Sequence, residues 1–309
     1  MITTIFQKSS PINYTFVGVL MFLFFFISQF SLNSTGFSVY QIVPKTLVLL
    51  LLIATIVVTN FITKKNALSK DNTYNVLFSF LFLIIFPELF KNANLVFANF
   101  LIIFAMRRLI SVQSLKFTKE KIFDASLFIF FASLFYFWSI LFIVMVFAAI
   151  ILHVSRDYRN WVLPFIAFFT AIILFVFFSL LFDKTLIDVF LLKIGFCFEI
   201  DYFTSIYQNI AFSLFVTIAL FFMTTLFIIL SDKPLIQNAS FKKLILWFFI
   251  GLVIFIVSPY KSNEVLIFTF APLAIIATSF VESVQIKWQQ ELTLTLVILC
   301  SFFCFFTQI

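Results

Sequence analysis

The chain has 309 residues, 63% of them hydrophobic and 11% charged, with a mean hydropathy of +1.19 and a formal net charge of +7. Soluble domains carry about 25% charged residues, so this composition excludes a water-soluble globule. One histidine, His153, and three cysteines, Cys197, Cys300 and Cys304, with no CxxC pair, are too few for a zinc or haem centre or a disulfide framework, so no metal and no cofactor is expected.

Apolar runs follow one another at approximately 14–31, 46–63, 75–89, 95–106, 124–136, 138–154, 161–182, 206–230, 244–258, 265–281 and 292–309. In hydrocarbon every backbone N–H and C=O must be satisfied within the segment, which predicts helices. The alternation of a membrane β-barrel is absent from the pattern. The reading is an all-α, polytopic membrane protein with about 11 transmembrane helices and one integral domain over residues 1–309. The first run is long and lacks a clean small-x-small cleavage site, so it reads as a spanning helix. Runs three to five fall short of a full span of about 17–25 residues and run six only reaches its lower limit, so runs three to six predict tilted, kinked or partly inserted hairpins. The stretch 125–154 is too long for one helix, and Tyr136 and Trp138 suit an interface, which predicts a break near Phe137.

With the N-terminus inside and the C-terminus outside, the inside loops hold 15 of the 20 basic residues and all four arginines, against 5 outside. That asymmetry follows the positive-inside rule. The 53 phenylalanines are spread over nearly every apolar run, as a composition bias would spread them, rather than lining one aromatic path.

In "FPELFKNANLVFANF", residues 86–100, Pro87 ends or loosens a helix and Glu88 follows it. An intramembrane carboxylate is a candidate acid, base or cation ligand, and Glu88 is the one weak catalytic candidate. With Lys91, Asn92 and Asn94 it also reads as the polar tip of a hairpin, and that reading is preferred. Residues 107–123, "RRLISVQSLKFTKEKIF", predict an inside interfacial segment held to lipid phosphates, with Leu109, Val112, Leu115 and Phe117 as its apolar anchors. Residues 183–205 predict a second interfacial segment, outside, with Asp183, Asp188, Glu199 and Asp201. Arg156 and Arg159 flank Asp157 and Tyr158 on the inside. The phosphate or lipid-headgroup candidates are therefore Arg107, Arg108, Lys116, Lys119, Arg156 and Arg159, because a guanidinium fork matches phosphate and ammonium groups attract it. His153, beside that loop, reads as an interfacial hydrogen-bonding residue.

The stretches "SKDNTYNVLF", "RRLISVQSLKFTKEKIFDASLFIFFASLFYFWSILF", "HVSRDYRNWVLPF" and "SNEVLIFTFAPLAI" resemble a family of uncharacterised multispanning inner-membrane proteins of Bacteroidota. The resemblance covers most of the chain and implies the bacterial cytoplasmic (inner) membrane. It implies no activity and gives no residue a role.

Three functions remain. A non-enzymatic subunit, accessory or scaffold protein of the cell envelope fits the sparse polar residues. A multispanning enzyme acting on lipid-linked sugars would need an outward site, yet the first outside loop has no acid. A membrane transporter would need polar groups at mid-membrane, for which Asn60, Asn99 and Pro272 are thin material. Membrane lipids are the expected partners, with other envelope membrane proteins next. Nucleic acid is not expected, because the basic segment lacks an aromatic stacking platform.

Overall fold

The structure, a computed structural model, describes residues 2–32, 39–192, 195, 205–230, 234–259 and 261–309. The helices in chain order are α1 (Ile2–Phe6), α2 (Pro11–Leu32), α3 (Val39–Lys65), α4 (Tyr74–Ile84), α5 (Ala93–Ser111), α6 (Thr118–Phe135), α7 (Ile143–His153), α8 (Tyr158–Phe182), α9 (Thr185–Leu192), α10 (Ile206–Leu230), α11 (Leu235–Val257), α12 (Ile267–Ser283) and α13 (Lys287–Gln308). No strand occurs among the described residues. Each of the eleven apolar runs falls on helix. Eight described helical stretches are long and apolar enough to cross a membrane, while Tyr74–Ile84 and Phe137–His153 are shorter apolar helices.

The short pieces have local causes. Helix α4 stops before Pro87, which opens a 3-10 turn, Pro87–Lys91, and Asn92 then caps α5 by accepting from Leu95 N at 3.2 Å. Helix α6 ends where Tyr136 turns extended, at φ −136° and ψ 103°, beside the expected break, and a 3-10 turn, Phe137–Phe142, leads into α7. The Tyr136 hydroxyl lies 2.6 Å from Ser258 Oγ, and Trp138 Nε1 donates to Gly195 O at 3.1 Å. The break is thus held by partners on distant segments.

Helix α12 is the spine. It packs on α3, α4, α5, α10 and α11, and 89% of its spanning window is buried, against 17% for α8. A helix apolar all round and so little covered belongs in lipid, and Phe169, Ile173, Phe177 and Leu181 on α8 point outward. Gly251 of α11 lets α12 come close: a Cβ there would meet Thr269 Cγ2 at 2.7 Å and the Phe268 and Thr269 backbone at 3.3 Å. Phenylalanines fill the seams edge to face. Phe24 meets Phe80, Phe302 and Phe305, and Phe215 meets Phe82, Phe86 and Phe270.

The bundle has two polar ends. Thr3 binds Glu291, Asn72 binds Glu282, and Lys64 pairs with Asp71 at 2.7 Å, so α1, the α3–α4 loop, the end of α12 and the start of α13 share one end. Gln308 donates to Ile85 O at 2.8 Å at the other end, where Asn92 reaches Glu264. The two described chain ends therefore lie at opposite ends of the bundle.

Candidate functional site

The first end is basic, and its main feature is a cavity of about 530 Å³ lined by Lys65, Asn66, Ala67, Arg107, Arg108, Ser111, Gln113, Ser114, Lys116 and Lys121. One wall is the turn after α3. The other is the α5–α6 corner, where α5 gives way to a 3-10 turn, Val112–Ser114, and the chain reverses. Segment 107–123 is thus the last turn of α5, a corner and the first turn of α6. Arg108 pairs with Asp124 at 2.9 Å. Lys121 Nζ donates to Ser111 O at 2.7 Å and Ser114 Oγ at 2.8 Å. Arg107 and Lys65 both lie over the Phe61 ring, at 4.7 and 5.4 Å from its centroid. Among the described residues Lys65, Arg107, Lys116 and Lys121 have no carboxylate ion-pair partner.

The backbone around this cavity is unusual. The non-glycine residues with positive φ among the described residues are Ala67 (51°), Leu115 (55°) and Phe117 (52°). Ala67 lines the cavity, and the other two flank Lys116. L-residues enter this region at a cost, and such strain gathers at functional turns. The corner also sorts the expected anchors. Leu115 and Phe117 are 63% and 72% exposed, but Leu109 and Val112 are fully buried in the core and do not reach lipid. Their face of α5 is covered by protein, which the spacing alone did not reveal.

Helix α11 holds both walls from one face. Gln237 Nε2 donates to Ala67 O at 2.9 Å, Ser240 Oγ to Gln113 Oε1 at 2.6 Å, and Lys243 Nζ to Leu109 O and Ile110 O at 3.2 and 3.3 Å. Lys243 is only 1% exposed. Its ammonium sits on carbonyls near the C-terminus of α5, adding to the bond that Val112 N already makes to Leu109 O, and a cation there suits the helix dipole.

Of the six phosphate candidates, Arg107, Arg108 and Lys116 line the cavity. Lys119 is drawn away to Asp157 at 3.2 Å. Arg156 is exposed on the α7–α8 loop and Arg159 on the first turn of α8, and neither lines it. Asp157 caps α8 by accepting from Arg159 N at 3.0 Å, and that bond, with Lys119, holds its carboxyl below the usual range. His153 ends α7, its Nε2 buried and without a hydrogen-bond partner among the described residues. Lys65, Gln113 and the α11 face were missed in the sequence: Lys65 read as a topogenic charge, and nothing local ties residue 240 to residue 113.

At the opposite end Glu88 sits on the hairpin tip and accepts from Gln208 Nε2 of α10 at 2.9 Å. It stands within electrostatic reach of Glu264, which sequence reading passed over. Glu264 opens the 3-10 turn into α12 and accepts from Asn92 Nδ2 at 3.0 Å, while Asn263 Nδ2 donates to Gln208 O at 3.0 Å. Cavities of about 210 and 300 Å³ lie at this end, the first lined by Asn92, Asn94, Tyr136 and Trp138 and the second by Lys45, Phe90 and Lys91. Neither is lined by Glu88 or Glu264. Asp183 and Asp188 border or lie on α9, whereas Glu199, Asp201 and Cys197 lie outside the described residues, as does about half of the expected interfacial segment 183–205. Cys300 and Cys304 are free thiols on α13. Among the described residues no group of three or more His, Cys, Asp or Glu is placed to hold a metal.

No curated protein and no solved structure matches the chain. A family model matches residues 1–309 throughout. The chain belongs to DUF6427, a family of unknown function.

Proposed function

We propose that this is a multispanning protein of the bacterial inner membrane, with its basic end in the cytoplasm, that serves as a non-enzymatic subunit or accessory protein and seats the phosphate of an anionic lipid in its basic cavity. The observation that carries the reading is a space of about 530 Å³ bordered by four cations with no carboxylate partner among the described residues, Lys65, Arg107, Lys116 and Lys121. Phosphate offers these donors short charge-assisted hydrogen bonds. Exposed Leu115 and Phe117 beside Lys116 give the lipid tails an apolar rim. The 15 to 5 split of basic residues supports the orientation, and the eleven helix-forming runs support about eleven spans, the shorter ones as hairpins. Lipid retained by the purified protein tests this. Native mass spectrometry of wild type should show anionic phospholipid bound, and a variant with Lys65, Arg107, Lys116 and Lys121 changed to glutamine should lose it. Equal retention by both would refute the reading.

A second reading, an enzyme acting on lipid-linked sugars from the outer side, is favoured by one observation, the polar cluster in which Gln208 bonds both Glu88 and Asn263, the neighbour of Glu264, while Asn92 bonds Glu264. It requires a substrate path to these carboxylates. Glu88→Gln and Glu264→Gln would then abolish turnover at unchanged abundance.

A further inference from the structure

A small polar cell lies inside the bundle, apart from the basic cavity and sharing no lining residue with it. Thr55 and Thr59 of α3, Ser79 and Leu83 of α4, Asn99 of α5 and Ile267, Phe270 and Ala271 of α12 enclose about 10 Å³. Its four polar side chains are between 1% and 5% exposed. Thr55 and Thr59 spend their hydroxyl protons within α3, on Leu51 O at 2.8 Å and Thr55 O at 2.7 Å, which leaves only acceptor lone pairs free. Ser79 Oγ and Asn99 Oδ1 are buried and find no hydrogen-bond partner among the described residues. A polar atom left without a partner in an apolar interior is strongly disfavoured, and among lipid-embedded helices no bulk water is at hand to relieve it. Four oxygens from three helices that converge on one small space therefore ask for a donor.

We propose that this cell is a binding site for a single ordered water molecule. Its volume matches one water, and buried waters take two to four hydrogen bonds from groups such as these. Water serves whichever way the Asn99 amide is turned, because it both donates and accepts. A cation fits less well: no carboxylate lines the cell, so its charge would stand uncompensated in the apolar interior. The water ties α3, α4 and α5 together against the face of α12 just before Pro272, where the helix lacks one backbone hydrogen bond. It thus acts as a fixed joint in the seam around the spine.

Three readouts test the site. A structure in lipid nanodiscs, in a map that shows other buried waters, should contain one density peak about 2.7–3.2 Å from Ser79 Oγ and from the Asn99 amide; an empty cell would overturn the proposal. Thermal unfolding should be the same in sodium, potassium and choline chloride, whereas a rise in melting temperature specific to sodium or potassium would make the occupant a cation and refute the water. In a double-mutant cycle, Ser79→Ala and Asn99→Leu should each lower the melting temperature, and the pair should lower it by less than the sum, because the second change removes a group already deprived of its bridge. Strictly additive shifts would show that no shared ligand joins them.

Discussion

The two ends of the bundle carry charge in opposite ways. At the basic end the cations surround open volume, their corner is built on left-handed residues, and α11 braces both walls from outside. At the other end Glu88 and Glu264 are each tied to a neighbouring amide, from Gln208 and Asn92, and the cavities nearby are lined by other residues. Charge with room beside it can bind a partner. Charge laced to amides fastens helix ends together. On the proposed function the first end binds and the second joins helices, and each role can be broken at its own level of the structure.

The largest effect belongs to the spine that both ends share. Gly251→Leu would drive a side chain into the Phe268–Thr269 backbone, which cannot retreat. Overpacking typically costs about 1–3 kcal/mol and sometimes more, and here backbone is the obstacle. Folded protein in detergent should fall sharply and both ends fail together. Loss of lipid binding alone, with a normal yield, would show that the ends are not joined through α12.

A more selective cut is Lys243→Ala. It should weaken only the basic end, by about 1–2 kcal/mol, through a cavity and the two hydrogen bonds that the ammonium gives to Leu109 O and Ile110 O. Amide exchange should quicken over 107–121 and stay unchanged around Glu88. Uniform quickening would mean that Lys243 supports the whole bundle and not the cavity wall.

The smallest effect is expected at Glu88. Glu88→Gln retains an acceptor for Gln208, so stability and lipid binding should change by less than about 1 kcal/mol. A stable protein that had lost its physiological activity would reverse the comparison and favour the outward-facing enzyme.

Much of this architecture was legible because lipid simplifies the code. Long apolar runs have few solutions other than helices, and Pro87 and the Tyr136–Trp138 step announced their own breaks. The charge bias of 107–123 pointed to the region of the cavity, and Arg107, Arg108 and Lys116 do line it. What stayed hidden is tertiary. Lys119 is diverted by Asp157, Lys65 joins from across a loop, and the 237–240–243 face of α11 gains meaning only when it meets residues over a hundred positions away. Leu109 and Leu115 look alike in the sequence. Only the left-handed turn at 115 and 117 shows why one is core and the other rim.

The most direct test of the binding end is a titration of the purified protein with short-chain phosphatidylglycerol and, separately, phosphatidylcholine. Wild type should prefer the anionic lipid. Arg107→Gln with Lys116→Gln should weaken that binding by about 30-fold, at roughly 1 kcal/mol per basic residue, while Glu88→Gln leaves it unchanged. Equal affinity for the two lipids, or an anionic preference that survives loss of Arg107 and Lys116, would contradict the account.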